Sequence, residues 1–167
     1  MARGVFTAST AITAAGHNAV TSPPRCYVYN SANISVANAT SQALTFDTEF
    51  FDNGGLHSTA VNTNRITIPA DGGGLYLVGA HVQWAANATG YRQLEIRIDG
   101  TTTVTFDRVP NSGGADGSRN NINGIYSIAA GSYFELYAYQ NSGGALNATA
   151  SGAVGISFWA TWLSINP

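Results

Sequence analysis

The sequence contains no lysine and little charge of either sign. All seven basic residues are arginine, and charged residues make up 10% of the 167 positions, against about 25% in an average globular domain. The formal net charge of −2 gives no positive field for phosphate backbones, which argues against nucleic acid as a partner. So little charge gives weak protection against self-association. Either asparagine, serine, threonine and glycine keep the surface hydrated, or partner subunits bury much of it.

Several other protein classes are disfavoured by features that the chain lacks. The single cysteine, Cys26, cannot form an internal disulfide, and its strand-like neighbours predict a buried thiol. No apolar run approaches the roughly 18 residues of a membrane-spanning helix, so we expect no membrane partner. Threonine and serine interrupt the stretch after Arg3, so no secretion signal is predicted.

No motif of a known catalytic class is present, and we predict neither catalysis nor a cofactor. Asp47, Glu49 and Asp52 lie close together with His57 nearby, so paired-carboxylate chemistry is conceivable. The alternative, which we favour, is a solvated strand face that runs into an Asp-Asn-Gly-Gly turn. On this interpretation His57 lies in a loop and is solvated.

The sequence gives little indication of a metal site, and none is predicted. The glycine-rich segments 71–74 and 111–117 lack the carboxylate spacing of a calcium loop and are typical of turns. His81 is either an ordinary strand residue or, if its face lines a three-fold axis, one of three imidazoles that could hold a metal.

What the sequence has in abundance is strand periodicity. From residue 26 onwards, apolar and polar residues alternate in short segments separated by turn sequences such as DNGG, ADGGG and NSGG. One segment places five apolar residues on one face: Tyr76, Val78, Ala80, Val82 and Trp84. Eight to ten such segments without a helical period predict an all-β sandwich or barrel. Residues 1–25 are small, polar and weakly patterned, and Pro23-Pro24 closes them, so we predict an extended N-terminal arm followed by one domain over residues 26–167.

Two segments carry aromatic residues on both faces. A strand with one solvated face should instead alternate apolar and polar residues, so both faces of these segments are expected to be buried. In the segment around residue 135, the face opposite the expected core residues carries Tyr133, Tyr137 and Tyr139. In the last segment the corresponding face shows Trp159 and Leu163. We predict that these five residues contact a neighbouring subunit, where tyrosine and tryptophan are favoured. Cover by a loop of the same chain is the alternative.

The ordered set of these segments resembles the globular-head domain of complement C1q, a member of the tumour necrosis factor-like jelly rolls. The segments that carry the resemblance are Leu44–Gly55, Arg65–Trp84, Tyr91–Thr101, Gly131–Gly144 and Gly155–Pro167. The resemblance implies a ten-stranded jelly-roll sandwich, a homotrimer with aromatic residues near its axis, and recognition without catalysis or cofactors. The collagen-like stalk of animal members is absent. The chain is more similar to bacteriophage virion proteins that use this fold as capsid decorations, head fibres or tail tips.

These features lead to one favoured function and to alternatives. We predict a structural protein on the virion surface, made in the host cytoplasm, whose residues 1–24 bind capsid or tail proteins. The alternative is a receptor- or glycan-binding module, in which the long loop supplies ligand contacts through Asn111, Ser112, Asp116 and Arg119. A sugar-stacking platform would use Trp84, Tyr91, Phe106 and Tyr126, although core packing explains most of these rings. A cell-surface adhesin and an enzyme are the remaining alternatives.

Overall fold

Twelve β-strands account for the regular structure of the protein. A computed structural model describes residues 22–111 and 117–165, and these ranges contain strands but no helix. No helix in these ranges could therefore cross a membrane. Every strand pairing is antiparallel. The predicted all-β class is confirmed.

Sheet 1 contains five strands and has the last strand of the described chain at its centre. In spatial order the strands are β4 (Thr48–Asp52), β1 (Arg25–Tyr29), β12 (Ile156–Ser164), β6 (Gly74–Gln83) and β9 (Arg119–Ile128). Neighbours in this sheet are distant in sequence, so the connections cross from one sheet to the other. This is the connectivity of a jelly roll.

Sheet 2 also contains five strands, and its outer edge is divided between two short ones. The long strands are β10 (Tyr133–Gln140), β7 (Tyr91–Ile98) and β8 (Thr102–Pro110), in that spatial order. The short strands β3 (Gln42–Ala43) and β5 (Arg65–Thr67) pair with different halves of β10. A separate pair consists of β2 (Ile34–Val36) and β11 (Leu146–Ala148). The predicted ten-stranded sandwich is confirmed, with this small third sheet added to it.

The core lies between the two sheets, and the period of two decides which side chains enter it. On β6, the predicted inward residues Tyr76, Val78, Ala80 and Val82 are buried. Facing them from β10 are Phe134, Leu136 and Ala138, also buried. Alternate residues of the same strands point outward, so each sheet presents one outer face. These two outer faces are the surfaces on which function can reside.

The hairpin between β7 and β8 shows how local sequence sets the strand register. Asp99 and Gly100 have φ angles of 51° and 71°, the left-handed values that a tight type I′ turn requires. The backbone N–H of Thr101 donates to the oxygen of Ile98 at 3.2 Å and closes the turn. Gly100 accordingly lies over the outer face of sheet 2, near the Glu135 carboxylate.

Candidate functional site

The outer face of sheet 1 carries a cluster of aromatic rings. Trp159 on β12 stacks on Tyr27 on β1, with ring centroids 5.6 Å apart and planes within 7° of parallel. Phe50 and Phe51 on β4 contact the same tyrosine ring at centroid distances of 5.9 and 6.1 Å. We call this surface the aromatic face and include in it three aliphatic residues of the same sheet: Leu77, Ile125 and Leu163.

A glycine of the neighbouring strand makes this stacking possible. Gly79 on β6 pairs directly with Trp159, and a Cβ atom at residue 79 would lie only 2.4 Å from Cζ2 of the indole. The indole therefore lies flat across the strand where no side chain stands. A glycine inside an apolar strand often marks such a close approach.

The aromatic face is the main concentration of exposed apolar side chains. Nine large apolar residues are exposed in the described part of the chain, and five of them lie on strands of sheet 1. Phe50 is 68% exposed, Ile125 59% and Leu163 43%. Sheet 2 contributes only Phe106 on β8. Contiguous apolar surface of this kind marks interaction sites in soluble proteins.

A short polar network lies at one end of the aromatic face. The hydroxyl of Tyr27 donates to the backbone oxygen of Ala153 at 2.7 Å and lies 3.1 Å from Oγ of Ser157. Ser157 Oγ in turn lies 3.1 Å from a ring nitrogen of His81. Burial, followed by the charge of Arg119, lowers the pKa of His81, so its neutral form is favoured. Ser157 has no exposed surface, so this network orients the rings and does not present a nucleophile.

The outer face of sheet 2 is also rich in tyrosine, but here arginine side chains cover the rings. The guanidinium carbon of Arg97 lies 3.9 Å from the ring centroid of Tyr137. The corresponding distances are 4.4 Å for Arg65 over Tyr133 and 4.3 Å for Arg108 over Tyr91. Tyr139 stacks on Tyr91 at 5.5 Å. We call the surface formed by these three arginines and four tyrosines the arginine–tyrosine face.

Two glutamates lie among these rings in different electrostatic states. Burial would raise the pKa of Glu95, but hydrogen bonds and charge from Arg97, at 2.7 Å, hold it below its ordinary value. Glu135 is 5% exposed, and burial raises its pKa despite the charges of Arg65 and Arg97. The side-chain amide of Asn64 donates to the Glu135 carboxylate. The surroundings thus lower the pKa of Glu95 and raise that of Glu135.

The structure separates the five residues predicted to form one subunit interface. Trp159 and Leu163 lie on sheet 1, in the aromatic face. Tyr133, Tyr137 and Tyr139 lie on sheet 2, on the opposite side of the sandwich. Each residue does point away from the core, as the alternation predicted, and the five belong to two different faces of the chain.

The predicted ligand loop is only partly within the described residues. Asn111 follows β8, and its backbone N–H donates to the oxygen of Gly90 at 3.2 Å. Arg119 begins β9 and donates from Nε to Gln83 at 3.0 Å. Ser112 and Asp116 lie outside the described ranges, as do residues 1–21 of the predicted arm. The loop and arm assignments therefore remain predictions.

The prediction that His57 is solvated is wrong. Its ring has no exposed surface, and its two nitrogens lie 3.1 Å from Glu49 and 3.2 Å from the backbone oxygen of Thr63. Glu49 and Thr63 are eight and six residues away, but their proximity in sequence did not show that the loop folds His57 back against them. The ring holds the 53–64 loop against β4.

The neighbouring carboxylates are likewise engaged with their own chain. Asp52 accepts hydrogen bonds from the backbone N–H groups of Gly54 and His57, each at 2.9 Å. Asp47 accepts bonds from Ser31 and Thr48, which outweigh burial and lower its pKa. These contacts match the turn interpretation. Across the described ranges, no group of three or more histidine, cysteine, aspartate or glutamate residues could hold a metal ion.

The four residues of the sugar-stacking platform do not all lie on the surface. Trp84 is buried, with its Nε1 donating to Asn120 at 2.8 Å, and Tyr126 packs partly against the core. Tyr91 and Phe106 remain accessible on the outer face of sheet 2. Cys26 is buried as predicted, and burial raises the pKa of its thiol.

Comparison with solved structures places the fold in the tumour necrosis factor and C1q class of jelly rolls. Murine APRIL is matched with a TM-score of 0.61 and 10% identity over 84% of this chain and 98% of its own. The globular domain of zebrafish complement 1qA is matched at 0.57 and 11% identity, over 86% and 99%. The Eiger TNF of S. frugiperda gives 0.59 and 12%, over 87% and 96%.

These likenesses extend over almost the whole length of each solved domain, so the predicted jelly roll of this class is confirmed. Identities of 10–12% show a common fold and nothing finer. No protein-family model matches the sequence. No curated protein matches it either.

Proposed function

We propose that the chain is a non-catalytic structural subunit that forms a homotrimer through its aromatic face and is displayed on a bacteriophage particle. The observation that carries this proposal is the exposed aromatic cluster around Trp159 on an otherwise well-packed sandwich. Rings aligned flat on a sheet are already ordered, so a partner gains their burial at little conformational cost. Low charge across the sequence supports the same conclusion, because few ions would need desolvation on assembly.

The aromatic face is better suited to self-association than the arginine–tyrosine face. Burying Phe50, Ile125 and Leu163 removes apolar surface from water at roughly 25 cal/mol per Å². Burying the arginines of sheet 2 would instead desolvate charged guanidinium groups. We therefore assign Trp159 and Leu163 to the subunit interface and remove Tyr133, Tyr137 and Tyr139 from it.

The proposed anchor to the particle is the N-terminal arm. Its described end is attached to sheet 1, because the backbone N–H of Trp162 donates to the oxygen of Pro24 at 2.9 Å. Asn53 donates to Ser22 and Pro23 nearby. Three such arms in a trimer would supply multivalent attachment to a capsid or tail.

Light scattering of the purified protein tests the trimer. We expect a mass three times the 17.4 kDa of the chain, and we expect Trp159→Asp to give folded monomers, because a carboxylate would be buried between subunits. Tyr137→Asp, on the opposite face, is the matched control and should remain trimeric. A wild-type monomer at micromolar concentration would refute the proposed assembly.

The virion role needs a separate test. Particles purified from lysates of the source culture should contain the chain in stoichiometric amounts by mass spectrometry. Full-length protein should rebind particles that lack it, whereas a chain beginning at Ser22 should trimerise but not rebind. Equal rebinding by the shortened chain would place the anchor in the jelly roll.

A further inference from the structure

The arginine–tyrosine face has features that the proposed assembly does not use. An outward sheet face needs only polar side chains for solubility, yet this one collects three of the chain's seven arginines. Each guanidinium is held over a tyrosine ring. We propose that this face binds an oligosaccharide that carries carboxylate groups. The inference does not depend on the trimer or on the virion.

The first argument is the set of hydrogen-bond donors that remain available. Within the described part of the chain, the guanidinium of Arg65 makes no hydrogen bond, and its Nε is buried without a partner. Arg108 is exposed and donates from Nε to Gln93 at 2.7 Å, and its two terminal nitrogens make no hydrogen bond within the described residues. A guanidinium with a free edge matches the two oxygens of a carboxylate.

The second argument is preorganisation. A free arginine side chain loses rotamer entropy when a ligand fixes it. Here the stacking of Arg65 on Tyr133 and of Arg108 on Tyr91 restricts both side chains before any ligand arrives. Less of the binding free energy is then lost on ordering them.

The third argument is the local charge. Arg97 forms an ion pair with Glu95 at 2.7 Å, and burial raises the pKa of Glu135 against the charges of Arg65 and Arg97. Asp99 at the rim is occupied with Ser132 and the backbone of Tyr133. Within the described residues neither Arg65 nor Arg108 forms an ion pair, although the whole chain is slightly acidic.

The fourth argument favours a saccharide over other anions. Arg65 and Arg108 are separated by three strand spacings and four residues, about 14 Å in each direction. Between them lie tyrosine side chains, whose hydroxyl groups suit sugar hydroxyls. An extended peptide would instead add to a sheet edge, and nucleic acid would need a denser set of cations.

Calorimetric titration of the full-length protein at low salt tests the inference. The probes are six-unit oligomers of galacturonate, guluronate, hyaluronan and sialic acid, with carboxyl-reduced oligogalacturonate as the neutral control. We expect binding of at least one acidic oligomer and none of the reduced one. Failure of all four acidic probes would overturn the inference. Equal binding of hexaglutamate or of a DNA hexanucleotide would show a general polyanion surface, which also overturns it.

Variants locate the site. Arg65→Gln combined with Arg108→Gln should weaken binding of the acidic oligomer at least tenfold. Arg25→Gln is the matched control, because Arg25 is exposed on sheet 1 and its guanidinium also lies over an aromatic ring, 5.6 Å from the centroid of Phe51. This control should bind as the wild type does. If Arg25→Gln loses as much affinity as the double variant, net charge is responsible, and the proposed site is wrong.

The conservative change Arg108→Lys sharpens the same test. It keeps the charge but loses the planar donor edge and much of the stacking on Tyr91, so we expect a loss of at least threefold. Unchanged affinity would exclude bidentate recognition at this position. Light scattering of each variant shows whether its assembly is unchanged, so a loss of saccharide binding can be distinguished from a loss of the trimer.

Discussion

The two outer faces of the sandwich carry similar aromatic side chains in opposite settings. On sheet 1, Trp159 and Tyr27 stack on each other and are bordered by exposed Phe50 and Phe51. On sheet 2, three of four tyrosines lie beneath an arginine. The comparison teaches that the number of aromatic rings does not identify an interface. Rings that side chains of their own chain already cover do not need burial by another subunit, whereas uncovered rings are available for it.

The difference extends to the supporting strands. On the aromatic face, the Trp159 indole lies directly against the backbone of the sheet, because Gly79 has no side chain at that position. The arginine–tyrosine face is built from long side chains linked by polar bonds, such as that between Gln93 and Arg108. The aromatic face is therefore suited to burial of apolar surface, and the arginine–tyrosine face is suited to hydrogen bonds with solvent or a ligand.

The largest effect is expected from filling the space beneath the indole. Gly79→Val places a side chain where a Cβ would already lie 2.4 Å from Trp159, so the ring must leave its position. We expect a loss of about 1–3 kcal/mol in the free energy of unfolding, typical of overpacking, together with loss of the trimer. Urea denaturation and light scattering measure the two effects.

Gly144→Ala is the control for this substitution. A Cβ at residue 144 would meet nothing within 4 Å, so both stability and assembly should be unchanged. If Gly79→Val also assembles normally, the indole does not need its flat position for subunit contact.

A smaller effect is expected from single charges placed on each face. Leu163 and Phe106 are 43% and 62% exposed, on sheets 1 and 2 respectively. Leu163→Asp should weaken assembly by at least tenfold, because its carboxylate would be desolvated between subunits. Phe106→Asp should leave the mass unchanged in sedimentation at several concentrations. Dissociation by Phe106→Asp alone would reverse our assignment of the two faces.

The smallest effect is a pH dependence that distinguishes the two glutamates of sheet 2. Glu95 has a folded pKa below the ordinary 4.5, so it stabilises the fold above pH 4.5 and this contribution is lost as the pH falls through the folded pKa. Glu135 has a folded pKa above 4.5, so stability decreases as the pH rises from 4.5 through that folded pKa.

Urea denaturation between pH 3 and 7 measures both slopes. Glu95→Gln should remove the increase in unfolding free energy just below pH 4.5. Glu135→Gln should remove the decrease just above it. Identical pH profiles for the two variants would contradict the opposite electrostatic settings of these carboxyl groups.

Much of the fold could be predicted from the sequence because a period of two is a local property. Alternation in GLYLVGAHVQ and SYFELYAYQ identified the inward residues of β6 and β10 correctly. These features depend on neighbours within a few residues of one another. The jelly-roll class followed from the order in which such segments occur.

The division of residues between the two faces could not be obtained in the same way. Alternation shows that Tyr137 and Trp159 both point outward, but not that β10 and β12 belong to different sheets, because sheet membership depends on pairing between distant strands. The fit of Trp159 over Gly79 arises from the same long-range pairing, whereas the contact of His57 with Glu49, eight residues away, depends on how the intervening loop folds. Gly79 within an apolar strand was the one local signal of this site.

The position of β12 has a consequence for synthesis on the ribosome. This strand lies at the centre of sheet 1, between β1 and β6, yet it is made after every other described strand. Tyr27 emerges about 130 residues before its neighbour Ser157, so the sheet cannot be completed until β12 has left the ribosome. Formation of such distant pairs is slow. The aromatic face, through which we propose that subunits associate, is thus completed after all the other described strands have been made, and growing chains that lack β12 do not yet carry the finished contact through which they could associate prematurely.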